Sequence, residues 1–295
     1  MKEKTKIIPI VSNTMFKEIF GRDENKETTA FLISEYFELD YNFVLDNIIH
    51  QNTVQSIDNL KDYSYDVDII LSLNNEVIIN IEMNKYFWSE IENRNMSYFS
   101  KIFSSQYEKG KGREQFRQSK KCIQINFNNY NYPVNREISI SRFKDIETNE
   151  ELTDKIEIHQ VNTEVIRNGC YNKSNEELSV LEKIVMCLKT NDVDDMEKIV
   201  GGRMKSILDK VMELSKDERL IGLYNTEELA KTREYGMKMA GIEEGMEKRI
   251  QKSIEQNKRQ VVINMLKKNI DIDTISEVIE LSKEDIQKYV DEIEE

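Results

Sequence analysis

Tyr65-Asp66-Val67-Asp68-Ile69-Ile70-Leu71-Ser72-Leu73, then Asn74-Asn75-Glu76, then Val77-Ile78-Ile79-Asn80-Ile81-Glu82-Met83-Asn84, reads as two β-strands around a short turn. Side chains alternate across a strand, so Val67, Ile69, Leu71 and Leu73 share one face of the first run. Asp66, Asp68 and Ser72 share the other, where Ile70 is the one apolar member. In the second run Asn80, Glu82 and Asn84 fall on the polar side. A three-residue loop over 74–76 sets Asp68 opposite Glu82. Directly opposed residues have Cβ atoms about 5 Å apart, and like charges there repel. A divalent cation between the carboxylates removes that repulsion. The residues alone leave two readings: a metal site, or acids on the solvated face of a hairpin. A two-residue Asn74-Asn75 turn would put the two acids on opposite faces.

Composition narrows the chemistry. The 295 residues, 39% apolar and 33% charged, suit a sizeable core domain followed by something smaller. No run of about 18 apolar residues occurs, so no membrane span is expected. Met1 to Lys6 lacks the pattern of a signal peptide. Cys122, Cys170 and Cys187 are far apart with no CxxC pair, which suits reduced thiols in a cytoplasmic protein rather than a zinc site. With two histidines, His50 and His159, a bound metal would be held by oxygen, favouring Mg²⁺ or Mn²⁺. A net charge of −13 argues against a nonspecific coat on nucleic acid. One local exception is Lys101 to Lys121, where seven Lys and Arg stand against Glu108 and Glu114 around Tyr107, Gly110, Gly112 and Phe116. That stretch reads either as a phosphate-contacting loop or as a solvated connector.

Along the chain, Phe16-Lys17-Glu18-Ile19-Phe20-Gly21 predicts a short helix stopped at Gly21, and Thr28 to Phe37 a second. After the hairpin, Glu90 to Gln106 fits a helix packed on the sheet. Lys121 to Phe127, Ile138 to Ile140 and Ile156 to Val161 read as further strands, giving an α/β core with a mixed sheet. From about Asn172 the pattern is helical: Glu176 to Thr190 is amphipathic, Glu243 to Lys267 is long and charged, and Ile270 to Ile286 suggests two short helices capped by Asp273 and Ser282. The expected division is a core over 1–170, a helical extension over 171–240, and a charged helix with a short helical tail over 241–295.

Phe16 to Gly21, Asp68 followed by Asn80-Ile81-Glu82-Met83-Asn84, and Arg94 to Tyr98 with Gln106 and Gly110 downstream together resemble the Rpn group of recombination-promoting nucleases, also labelled transposases, in the PD-(D/E)XK nuclease superfamily. The resemblance runs over essentially the whole chain. It implies a restriction-endonuclease-like mixed sheet flanked by helices, followed by an α-helical C-terminal region. It implies Mg²⁺ or Mn²⁺ held by Asp68, Glu82 and the Met83 backbone carbonyl, and hydrolysis of DNA phosphodiesters with low sequence specificity, tied to recombination or mobile elements. Asp68, Glu82 and Asn84 then form the catalytic set. Arg94, Gln106 and Lys109 contact DNA, and Glu18, Asp66 and Lys85 are accessory candidates.

The sequence departs from that pattern at two positions. Asn84 stands where the family usually has Gln, with Lys85 next to it on the other face of the strand. Asn13 stands where an Asp commonly precedes the first helix. These changes support a second expectation, a catalytically weakened nuclease-like module that binds DNA or protein. The C-terminal helices are expected to pair two copies of the chain.

Overall fold

Asn74 and Asn75 both adopt left-handed backbone, with φ of 49° and 56°, a conformation that asparagine tolerates better than most side chains. The Glu76 N–H donates to the Leu73 carbonyl at 3.1 Å. The loop is therefore three residues, and the strands pair Leu73 with Val77 through Ile69 with Ile81. Continued by one residue, this register sets Asp68 opposite Glu82.

The computed structural model describes residues 6–51, 68–107, 112–130, 132, 134–268, 270–279, 281–282, 284–287 and 289, with backbone alone at most positions over 231–255. The helices are α1 (Asn13–Phe20), α2 (Lys26–Phe37), α3 (Tyr41–Asn47), α4 (Ile91–Ser104), α5 (Glu114–Arg117), α6 (Thr163–Cys170), α7 (Val180–Leu188), α8 (Val193–Glu197), α9 (Met204–Leu214), α10 (Glu218–Leu266) and α11 (Ile272–Ile279). The strands are β1 (Ile48–Gln51), β2 (Ile69–Leu73), β3 (Val77–Asn84), β4 (Lys121–Asn128), β5 (Ile138–Arg142) and β6 (Ile156–Asn162). They form one six-stranded sheet ordered β1-β2-β3-β4-β6-β5. Strands β3, β4 and β6 run parallel, while the β1/β2, β2/β3 and β5/β6 pairs are antiparallel. This is the mixed sheet expected from the sequence, with helices around it and helices following.

Each face of the sheet has its own cover. Ile69, Leu71, Ile79, Ile81, Ile123, Ile125, Phe127 and Val161 join Phe16, Ile19, Phe20, Leu32 and Ile33 of α1 and α2 in the main core. Burying each such side chain contributes about 1.5–3 kcal/mol. The opposite face holds a smaller apolar cluster of Ile70, Ile78, Phe99, Ile102 and Cys122, through which α4 docks. Ile70, the apolar member of the polar side, is therefore an anchor for α4. That docking corrects the solvated-hairpin reading: the polar side of β2 and β3 lies beneath a helix, with Asp68, Asn80, Glu82 and Asn84 all buried.

Local chemistry sets the helix ends. The Ser12 hydroxyl accepts from the Met15 N–H at the start of α1. At its end, a Cβ on Gly21 would lie 2.8 Å from the Lys17 carbonyl oxygen, so glycine fits where the chain turns off the last turn of α1. The helix expected from Glu176 begins at Val180, because Ser179 and Glu182 form a reciprocal capping box there. Near the C-terminus the cap is Asp271, which accepts from the Thr274 N–H at 2.9 Å, and not Asp273 in the first turn. Ser282 caps as expected, accepting from the Asp285 N–H at 3.1 Å.

The chain forms two compact units, 1–225 and 226–295. The second has its own small core around Val262, Ile275 and Ile286. Among the described residues no helix is long and apolar enough to cross a membrane. Cys122, Cys170 and Cys187 are buried free thiols.

Candidate active site

Glu82 sits in the centre of the sheet's polar side. Asp68 faces it from β2's N-terminal end, Asn80 and Asn84 flank it along β3, and Asn126 is its registered neighbour on β4. Glu82 is 1% exposed and Asp68 7%. Burial first, and then the charge of Asp68, push the Glu82 carboxyl up to about 8, against the opposing pull of Arg94. The opposed carboxylates expected from the sequence thus meet in a nearly dry layer.

Cationic and amide groups hold this pair in place. Asp68 accepts a hydrogen bond from the Met83 N–H at 2.8 Å, and Lys17 of α1 lies 3.5 Å from its other oxygen. Asn80 Nδ2 donates to Glu82 at 3.2 Å. Arg94 of α4 lies 3.9 Å from Glu82 and donates to Asn84 Oδ1 at 2.6 Å. Its guanidinium is 5.9 Å from the Trp88 ring centroid and 5.4 Å from that of Tyr98, contacts that fix the planar fork. Asn84 Nδ2 donates onward to Asn128 at 2.9 Å, Asn128 to Gln160 at 2.8 Å, and Gln160 to Glu92 at 3.1 Å. A ladder of amides across three strands thus ends on α4.

The donor set fits a hard divalent cation. Two buried carboxylates of like charge face one another, and Asn80 Oδ1 beside them is a buried acceptor without a hydrogen-bond donor. All of these are oxygen atoms, the ligands that Mg²⁺ and Mn²⁺ take. Among the described residues no three His, Cys, Asp or Glu side chains cluster. Among the described residues the oxygen atoms gathered here are those of the Asp68 and Glu82 carboxyl groups and the Asn80 amide.

Residues 12–241, more than three quarters of the chain, match the model of a family described as PD-(D/E)XK nuclease family transposase. The chain belongs to that family. Neither the comparison with curated proteins nor that with solved structures found a match. The match covers α1, the hairpin, the sheet and the helices through α9, so it contains every part of the site described above. For this PD-(D/E)XK family protein the resemblance read from the sequence holds, and so does the α/β fold it implied.

The other candidate residues scatter. Glu18 is spent on arginines, Arg22 at 2.8 Å and Arg219 at 3.6 Å. Lys85 follows the end of β3, with its ammonium over the rings of Tyr86 and Tyr224. Gln106 clamps α4 to β4: its Oε1 accepts from the Lys120 N–H at 2.7 Å, and its Nε2 lies within 3.4 Å of the Phe103 and Lys120 carbonyls and Cys122 Sγ. Asp66 and Lys109 lie outside the described residues. Lys17, Asn95, Asn126, Asn128 and Gln160 join the site without having been singled out in the sequence. One signal was available: Gln124, Asn126 and Asn128 repeat at the strand period.

Proposed function

We propose that this protein is a divalent-metal-dependent endodeoxyribonuclease of low sequence specificity that serves recombination or the movement of mobile elements. The observation that carries the reading is the buried, opposed pair Asp68 and Glu82 in a chain of the PD-(D/E)XK nuclease family. Asp68, Glu82 and the Met83 carbonyl would hold Mg²⁺ or Mn²⁺. When bound, such an ion would make a coordinated water easier to deprotonate and would neutralise charge on the phosphoryl and leaving oxygens. Arg94, fixed by Asn84 and two aromatic rings, offers a planar fork to the phosphate. Lys17 offsets the charge of Asp68 while the substrate enters. Asn84, with its oxygen on Arg94 and its nitrogen on Asn128, acts here by positioning Arg94. Of the other DNA-contact candidates, Gln106 has both ends of its amide engaged within the fold. The three-part division of the chain belongs to the same proposal, as does pairing of two copies through the C-terminal helices, which would set two sites across a duplex. A monomer mass in light scattering overturns that assembly.

The test is incubation of purified protein with supercoiled plasmid and Mg²⁺ or Mn²⁺, with a chelator, Asp68→Asn and Glu82→Gln as controls. The expected result is nicking or linearisation that all three controls abolish while the variants stay folded. A folded wild-type protein that binds DNA without cutting it in either metal supports a second reading, a binding module derived from the nuclease scaffold. The observation favouring that reading is the engagement of Asn84's amide, whose oxygen is bonded to Arg94 and whose nitrogen is bonded to Asn128.

A further inference from the structure

Residues 85–90 join β3 to α4, the two elements that carry Glu82 and Arg94. The connector reads Lys85-Tyr86-Phe87-Trp88-Ser89-Glu90. Its three rings lie open to solvent: Tyr86 is 50% exposed, Phe87 55% and Trp88 38%. Single exposed apolar side chains are ordinary, but a contiguous run marks a surface that meets a partner. Among the described residues no other three consecutive large apolar side chains are exposed.

The connector is anchored beside the acids. The Trp88 carbonyl accepts from the Ile91 N–H at 3.2 Å. The Phe87 ring meets Tyr130 edge-on, 5.4 Å between centroids, and the Tyr130 hydroxyl donates to Asn128 Oδ1 at 3.1 Å. Trp88 shares Arg94 with Glu82, the guanidinium lying 5.9 Å from the ring centroid and 3.9 Å from the carboxyl group. The Lys85 ammonium is 5.4 Å from the centroid of Tyr86. Two cations thus lie against rings of this segment, in a chain whose net charge is −13.

That combination selects the ligand. Rings alone would suit many partners. Rings with cations against them suit a nucleic-acid strand, in which every unit joins a flat base to an anionic phosphate. In a duplex both faces of each base are already covered by its neighbours, so a protein ring enters only by breaking a stack. An unpaired strand offers its base faces without that cost. Every base has such a face, so recognition of this kind is tolerant of sequence.

We propose that Tyr86, Phe87 and Trp88 form a platform on which unpaired bases of single-stranded DNA stack, with Lys85 and Arg94 beside its phosphates. This rests on the nuclease reading and deepens it by naming unpaired strands as the substrate class.

Trp88 is the one tryptophan of the chain, so its emission reports on the platform directly. The full-length protein, kept from cutting by a chelator, is titrated with a short oligothymidylate, with an abasic strand of the same length and charge, and with a blunt duplex. Oligothymidylate is expected to quench the emission and to bind about 10-fold more tightly than the abasic strand or the duplex, the size of one base–aromatic stack. Phe87→Ala should weaken oligothymidylate binding about 10-fold and leave abasic-strand binding at its wild-type level. Failure of oligothymidylate to bind, or binding with unchanged emission, overturns the platform. Equal affinity for strands with and without bases overturns it too. Tighter binding and stronger quenching by the duplex replace it with a wedge between paired bases. Quenching by oligothymidylate in a protein that cuts no DNA keeps the platform and removes the nuclease reading. Plasmid cleavage by a protein whose emission no strand quenches removes the platform alone.

Discussion

The raised carboxyl of Glu82 carries a sign that solution measurements can read. Its carboxyl is raised from 4.5 to about 8 by burial and by the neighbouring Asp68. A raised carboxyl contributes stability that is complete below the ordinary carboxylate pKa and lost as pH rises through the folded value. The metal-free protein is therefore expected to melt at progressively lower temperature between about pH 5 and pH 8. Glu82→Gln, neutral throughout, should flatten that slope, and Mg²⁺ should restore wild-type stability at pH 8 while leaving the Gln variant unmoved. A melting temperature independent of pH in wild type and variant alike contradicts this account. At the same scale, the sequence made Asp68 and Glu82 legible as a pair because a two-residue period and one loop length are local properties. Asn126 was not legible, since its importance comes from a registered neighbour 44 positions back in the chain.

Between elements, the link that matters most is α4 on the sheet. This helix brings Arg94 and Asn95 to the acids, and Gln106 beyond its end ties it to the start of β4. Gln106→Ala leaves the Lys120 N–H without that acceptor, an expected loss of about 1–3 kcal/mol in stability. DNA affinity of the folded variant should stay within a few-fold of wild type. Denaturant unfolding together with a binding titration distinguishes this from a direct DNA contact, which would reverse the pattern. The alternation of β2 and β3 gave their pairing, yet it could not say that both faces are covered. A face of Asp, Ser, Asn and Glu reads as solvated when no partner is known. Ile70 was the local sign to the contrary, and its meaning emerged only with Phe99 and Ile102 above it.

For the whole molecule, two units have separate cores, and they should lose structure separately. The second relies on a few fully buried side chains, Val262, Ile275 and Ile286. Ile275→Ala, a large-to-small change in so small a core, costs about 2–5 kcal/mol. Hydrogen exchange is expected to show lost protection in α11 and the end of α10, with the amides of β3 and β4 still protected. Loss of protection in the sheet at the same time would show instead that the two units unfold together.

By itself the sequence determined strands β2 to β6, the first helix and its glycine stop, the mixed α/β core and the helical second half, while it left the hairpin register open between two loop lengths. Each of these follows from periodicity, capping and turn chemistry within about 20 residues of chain. Only the tertiary structure decided that the acids are buried, that Arg94 lies 3.9 Å from Glu82, and that Asn84 bonds Arg94 and Asn128. These depend on which element covers which face, a choice made by long-range packing of apolar side chains, and no local pattern encodes it.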